Sequence, residues 1–388
     1  MIEVREALEL IEKNVSSIDR YEEIFLDSAS DRVAFEDIKS PIDVPSFDRS
    51  AMDGYALCGS HKSYKIIQSV DDFKDGCCLR INTGNRLPGN CFAVAEVEIV
   101  KKDNGFIKLL RDVETRRNFT LKGVEIKKGD IIVKKGERIS VRKLGLIAYV
   151  GLFKVKVFAK PTVALITTGD EVVFPFENKQ DDSVYNTNYF IVSNLLKKWH
   201  ADVLYLGHVT DDKELIKEKI LRGFECADIV ITTGGVSKGS RDFIKEAVDK
   251  LGVDILFDKT TVKPGKPAVF GVFDKKVFFG LPGWPAALFS VAYLYLKPLV
   301  LKMAGRKDYK TLLFECIADE DMHSRKGKFY LNRVFLDYID GQFHAKLTGS
   351  QKTENFFTVA IGDGFAMVDE KEGDIPASSR LPLLIFDD

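Results

Sequence analysis

TVALITTG (162–169), ADVLYLGHV (201–209), ADIVITTGG (227–235) and KVFFGLPG (276–283) are short apolar runs, each ending in glycine or a polar turn. Helical patterns separate them. DDKELIKEKILRGF starts at Asp211 with Glu214 three positions on, a capping-box-like opening, and carries Leu215, Ile216, Ile220 and Phe224 on one face. RDFIKEAVDKLG (241–252) and AALFSVAYLYLKPLVLKMAG (286–305) repeat the pattern, the second apolar enough to be largely buried. Strand-like and helical runs in alternation predict a mostly parallel sheet covered by helices, a doubly wound α/β domain over residues 159–305.

The flanks differ. Residues 41–131 carry short β-rich runs with Gly-Asp and Gly-Asn turns, residues 1–40 and 132–158 frame them, and residues 306–388 alternate on a period of two, as in KFYLNRVFL. The fold class is therefore α/β multidomain: a β-rich inserted domain, a connecting domain, the doubly wound domain and a small C-terminal β domain. A chain of 388 residues, 45% apolar, can bury several cores.

Lysine plus arginine count 57 against 58 acids, a balance that argues against attachment to nucleic acid or membrane by bulk charge. The opening MIEVREALELIEKN is an acidic amphipathic helix pattern, and no apolar run approaches about 18 residues, so neither an export signal nor a membrane span is expected. Six cysteines without CxxC pairing point to a reducing cytoplasm, and the five histidines show no metal spacing.

Ligands of open α/β sheets bind beyond the carboxyl ends of the strands. The first strand delivers Asp170 and Glu171 there, carboxylates suited to a hard cation or to orienting water, although a solvated turn is the competing reading. The third delivers GGVSKGSRDF, where Gly234, Gly235 and Ser237 precede a helix N-terminus that could bind an anion; Asp242 could merely complement the helix dipole. KPGKP sets Lys263 and Lys266 around a turn as a cation pair for an oxyanion. LPGWP brackets Trp284 between Pro282 and Pro285, an indole read from sequence as a plug for a core gap rather than a stacking face. Outside this domain, PSFDRSAMDGYAL holds Asp48, Ser50 and Asp53, and RINTGN holds Thr83.

Taken in order, SAMDGYA, TGN with a following proline, TGDE, the Asp211-Asp212 pair after GHV, GGVSKGSRDF, KPGKP, LPGWP and TGSQ closely resemble the molybdopterin molybdenumtransferase family (MoeA, gephyrin E-domain), nearly end to end. The resemblance implies a homodimer with a MogA/MoaB-like α/β domain. It implies an enzyme that takes adenylylated molybdopterin from a partner adenylyltransferase, releases AMP and places molybdenum on the dithiolene, assisted by Mg2+. By motif, the family's functional acids fall on Asp53, Asp130, Glu171, Asp211 or Asp212, and Asp242, with Thr83 as a polar contact; Asp53, Glu171 and Asp242 would be metal ligands. Its oxyanion contacts fall on Lys263, Lys266, Pro267, Arg333 and Ser350. This chain departs from the pattern at Trp284 for an Asn, Ala287 for a Ser, Phe92 for an acid and Lys328 for an Arg. A paralogue handling another oxyanion such as tungstate, or a non-catalytic scaffold of the same fold, are the alternatives.

Overall fold

The computed structural model describes residues 1–235 and 243–387, and the chain packs as two units, residues 23–157 and residues 1–22 with 158–388. The smaller unit is β-rich, as its turn-punctuated sequence requires. Strands β1 (Gly54–Cys58), β2 (Ser63–Ile67), β3 (Cys77–Ile81), β4 (Cys91–Glu96), β5 (Val100–Asp103) and β6 (Phe106–Leu109) form one sheet in the order β4-β1-β3-β2-β6-β5. A separate cluster in the same unit joins Ala29, Ala34 and Ile38 to Val133, Ile139, Ile147 and Val157.

β4 ends on Glu96, a buried carboxylate whose Oε1 accepts from Arg117 Nη2 at 2.8 Å. That guanidinium hydrogen bond pulls the carboxyl down from its ordinary 4.5 to about 2. The folded-state value lies below the unfolded one, so the stabilisation is present above about pH 4.5 and is lost as pH falls towards 2. Arg117→Ala is expected to destabilise the fold at pH 7, because it takes the guanidinium from a buried carboxylate. Urea unfolding at pH 7 and pH 3 checks this: the cost must shrink at the lower pH.

The larger unit contains the predicted doubly wound layer. Its elements are β7 (Thr162–Thr168), α1 (Thr187–Lys198), β8 (Asp202–Val209), α2 (Lys213–Cys226), β9 (Ile229–Thr233), α3 (Phe243–Lys250), β10 (Asp254–Lys259), β11 (Pro267–Phe273), β12 (Lys276–Leu281) and α4 (Pro285–Met303). The sheet order is β8-β7-β9-β12-β11-β10, with the first four strands parallel and the last two added antiparallel. Residues of β7 and β9 alternate between two cores. Val163, Leu165, Ile229 and Ile231 face the cluster that includes α4, while Ala164, Ile166 and Val230 face α2 and α3.

Two details correct the sequence reading here. α2 is capped by Asp212, whose Oδ1 accepts from the amides of Glu214 and Leu215 at 2.9 Å each, so the cap lies one residue beyond Asp211. Leu215 is consequently exposed, and the buried face is Ile216, Ile220, Gly223 and Phe224. Lys297 and Lys302 interrupt the apolar run of α4, although the helix is 19 residues long and, by length and composition, apolar enough to cross a bilayer. It is 89% buried inside the unit.

Beyond α4, strands β13 (Phe314–Ala318), β14 (Phe329–Ile339), β15 (Gln342–Leu347), β16 (Gly364–Val368) and β17 (Arg380–Ile385) close into a small barrel, β14-β15-β13-β17-β16 and back to β14. Closure removes free strand edges. The two-residue strand Val262–Lys263 pairs parallel to β14, and so ties the KPGKP turn to this barrel. The N-terminal helix Val4–Asn14, grouped by sequence with the connecting region, instead inserts Val4, Ala7 and Ile11 into the core beside α4.

Candidate functional site

The carboxyl ends of β7, β9 and β12 border a cavity of about 1070 Å³. Its floor is Thr167–Thr168–Gly169. Thr167 Oγ1 accepts from Asn186 Nδ2 at 3.0 Å and sits 2.8 Å from Tyr205 Oη and 3.2 Å from His208 Nδ1. His208 Nε2 lies 2.9 Å from the Gly169 carbonyl, which can only accept. In the neutral ring, Nε2 therefore carries the proton, Nδ1 accepts from Thr167, and Tyr205 donates to Thr167. Every hydrogen-bonding position of that hydroxyl is used, which rigidifies the turn that follows β7.

The two acids of that turn part ways. Asp170 Oδ1 accepts the Asp211 amide at 2.9 Å, so it stitches the turn to the start of α2. Glu171 lies in the cavity wall, exposed, with its carboxylate folded over Gly169. Among the described residues no hydrogen bond or ion pair engages that carboxylate, while the backbone carbonyl of Glu171 accepts the Val184 amide at 2.7 Å. Asp211 also lines the cavity, whereas Asp212 is occupied in capping α2.

Gly234 and Gly235 line the cavity at the end of β9. Gly234 adopts φ +91° and donates its N–H to the Leu281 carbonyl at 3.1 Å, so that donor is taken and does not await an anion. Ser237 and Asp242 lie outside the described residues.

KPGKP forms the facing wall. Lys263, Lys266 and Pro267 line the cavity, both ammonium groups being on exposed residues, and Lys328 joins them from the barrel. Lys263 Nζ lies 5.2 Å from the centre of the Tyr330 ring, a cation–π placement. The turn depends on Gly265, at φ +121°, where an added Cβ would lie 2.6 Å from Val291 Cγ2 and 3.2 Å from the Ala287 carbonyl. Gly265→Ala is expected to displace both lysines and to cost about 2–3 kcal/mol; a melting temperature within 2 °C of wild type would count against it.

Pro282, Pro285 and Trp284 complete the rim. The plug reading of Trp284 is overturned: the residue is 60% exposed. Pro285 starts α4, so Trp284 sits at the N-cap, off the end of the buried helix.

Other sequence-selected residues are elsewhere. Arg333 is fully buried in the barrel. It donates from Nη2 to the carbonyls of Ser350 and Lys352 at 3.1 Å each, and from Nε to Thr358 Oγ1 at 3.3 Å, while Nη1 has no partner among the described residues. Burial lowers its pKa to about 10. Neither Arg333 nor the exposed Ser350 lines the cavity. In the smaller unit, Asp53 accepts from the Thr83 amide at 2.6 Å and hydroxyl at 2.9 Å, which holds its carboxyl below the ordinary range. Asp130 accepts the Lys127 amide at 2.8 Å, Asp48 accepts the Lys122 amide at 2.7 Å, and Ser50 Oγ donates to the Met52 carbonyl.

Sequence reasoning missed Asn186, Asn188, Tyr185 and Lys179, which line the same cavity. The available signal was the helix cap: Asn186 Oδ1 accepts the Tyr189 amide at the start of α1, a helix absent from the sequence reading.

The MoeA N-terminal region (domain I and II) matches residues 2–151, and a probable molybdopterin binding domain matches residues 164–302. The molybdopterin molybdenumtransferase of Haemophilus influenzae is 32% identical over 376 residues, covering 93% of each chain. The chain belongs to the MoeA family of molybdopterin molybdenumtransferases. A molybdopterin molybdenumtransferase of Staphylococcus aureus is 30% identical over 336 residues, 82% of this chain and 80% of its own. The crystal structure of a MoeA molybdopterin biosynthesis protein of Pyrococcus horikoshii superposes over the whole of both chains with a TM-score of 0.86 and 28% identity. The MoeA resemblance drawn from eight motifs is thus borne out, as is the multidomain α/β fold.

Proposed function

We propose that the protein completes molybdenum cofactor biosynthesis as a molybdopterin molybdenumtransferase, acting on adenylylated molybdopterin with release of AMP. The observation that carries this is the cavity at the sheet's carboxyl edge, which sets an unpartnered carboxylate, Glu171, in one wall and the lysines of KPGKP in another. Joining an anionic oxymetal to a pterin phosphate demands that pairing: cations to hold oxyanions, and acids to hold the counter-charge of a pyrophosphate.

Mg2+ fits this arrangement in one form. Among the described residues no group of three acids or histidines is gathered for a metal, but Mg2+ is commonly held by one or two carboxylates together with substrate phosphates. Glu171 would be such a ligand, with Asp211 beside it in the wall and Asp242 as the family-implied third; Asp53 is the family's further metal-ligand position. The ion would supply charge neutralisation at the pyrophosphate. The protein's own part is to position the phosphates against Lys263 and Lys266 and to hold the turn of Gly169–Glu171 through His208 and Thr167. Within this reading it works as a homodimer in the cytoplasm and receives its substrate from a separate adenylyltransferase.

The test is incubation with adenylylated molybdopterin, Mg2+ and molybdate, following AMP release and molybdenum in the product. Both must appear together and depend on Mg2+. AMP release without metal insertion, or neither, refutes the reading; preferential insertion of tungstate in competition would move it to the other oxyanion.

A further inference from the structure

We propose that Trp284 is a stacking platform for a flat nitrogen heterocycle carried by a phosphate-bearing ligand, an inference that rests on the cavity's reading as a pterin-phosphate site. Every other residue of the first turns of α4, from Ala286 to Val291, is buried, yet the indole at the N-cap is 60% exposed and lines the cavity. Its backbone is fixed on both sides. The carbonyl accepts the Leu288 amide at 2.9 Å, Pro285 follows, and Asn188 Nδ2 donates to the Gly283 carbonyl at 2.8 Å. The indole is therefore held at the rim by rigid backbone.

Among the described residues no ring, cation or hydrogen-bonding group engages that side chain. Tyr185 and Phe356 offer further aromatic rings in the same cavity, but Lys179 Nζ sits 5.5 Å from the centre of the Tyr185 ring and Phe356 is partly buried against the core cluster that includes α4. Trp284 is the exposed indole of the cavity, neither stacked on a ring nor packed into the core among the described residues. The same cavity carries Lys263, Lys266 and Lys328, so it presents an aromatic platform together with a cationic wall. A ring joined to phosphate matches both features, whereas a bare oxyanion uses only the second. An exposed indole adds water-facing apolar area that stacking would bury, and aromatic platforms accept any flat base.

Purine and pterin rings share this chemistry, and two probes separate them: AMP and a pterin monophosphate, with ribose 5-phosphate as the ring-free control. The chain has two tryptophans, and Trp199 is buried against Tyr293, so ligand quenching of emission reports Trp284. The full-length protein is expected to bind at least one ring probe with quenching. Trp284→Ala should raise its Kd roughly tenfold and abolish the quench, while Trp284→Tyr stays within about threefold of wild type. Ribose 5-phosphate should bind all three proteins alike. The proposal is overturned if Trp284→Ala binds both ring probes as tightly as wild type, or if wild type binds them no better than ribose 5-phosphate. Ring binding that needs Trp284 in a protein that inserts no molybdenum would remove the transferase reading and keep the platform. Normal insertion with an unchanged KM in Trp284→Ala would keep the transferase and remove the platform.

Discussion

Replacing Gly54 by alanine is expected to lower the melting temperature by roughly 10 °C, the largest effect on stability of any single methyl group in the SAMDGYA stretch. Gly54 opens β1, which lies between β3 and β4, and pairs with Ile81 on one side and Glu96 on the other. A Cβ built there would overlap the Ala95 carbonyl oxygen, and would lie 2.9 Å from the carbonyl carbon and 3.3 Å from Glu96 Cα. These are backbone atoms of a paired strand, so no rotamer change relieves the overlap. Only separation of β1 from β4 does, and that forfeits the ladder hydrogen bonds that hold β4 to the sheet. The motif's glycine is therefore a requirement of strand packing.

Two controls in the same unit give the prediction its sign. Gly89→Ala meets no atom within 4 Å at an ordinary φ and should leave the melting temperature unchanged. Gly145→Ala, inside the exposed helix Val141–Tyr149 with open space around it, should raise stability by about 0.5–1 kcal/mol. Thermal unfolding followed by circular dichroism ranks the three. Gly54→Ala melting with the controls would mean that the sheet opens at little cost.

The alternation of strand and helix after Pro161 was legible because β7, β9 and β12 are buried on both faces and read as unbroken apolar runs. The antiparallel edge was less so. Pro267–Phe273 begins inside the KPGKP motif and was not read as a strand, although six of its seven residues are apolar or glycine and it pairs with β12. Single-residue placements failed where two neighbours could play one role. Asp211 and Asp212 both precede an amphipathic run, and only the backbone at Asp212, extended at φ −102° and ψ 122°, decides which carboxylate turns back to cap α2. Trp284 was misread because an indole beside prolines looks like core, while a residue at an N-cap points off the helix end. Arg333 illustrates the opposite limit: a charge placed by motif in an oxyanion site is enclosed in the barrel, bonded to carbonyls, and nothing in KFYLNRVFL distinguishes it from a surface arginine.

Glu171→Gln is expected to reduce molybdenum insertion at least roughly 100-fold while leaving the melting temperature within about 2 °C of wild type. The two acids of the TTGDE turn make this a sharp comparison. Asp170 accepts the Asp211 amide and so fastens the turn to α2, whereas the carboxylate of Glu171, in the cavity wall, takes no hydrogen bond or ion pair among the described residues. A carboxylate that supports no neighbour contributes little to folding, so its removal should be silent in stability and visible only where substrate charge is handled. Glutamine keeps the shape and removes the charge. Asp170→Asn should behave in the reverse way: it weakens a charge-assisted hydrogen bond worth about 1–2 kcal/mol, lowers the melting temperature by a few degrees, and keeps most of the activity. Raising Mg2+ should recover part of the Glu171→Gln defect if the lost charge is a metal contact, and none of it if the carboxylate instead orients water or substrate. Turnover by Glu171→Gln within twofold of wild type at limiting Mg2+ would remove Glu171 from the site altogether.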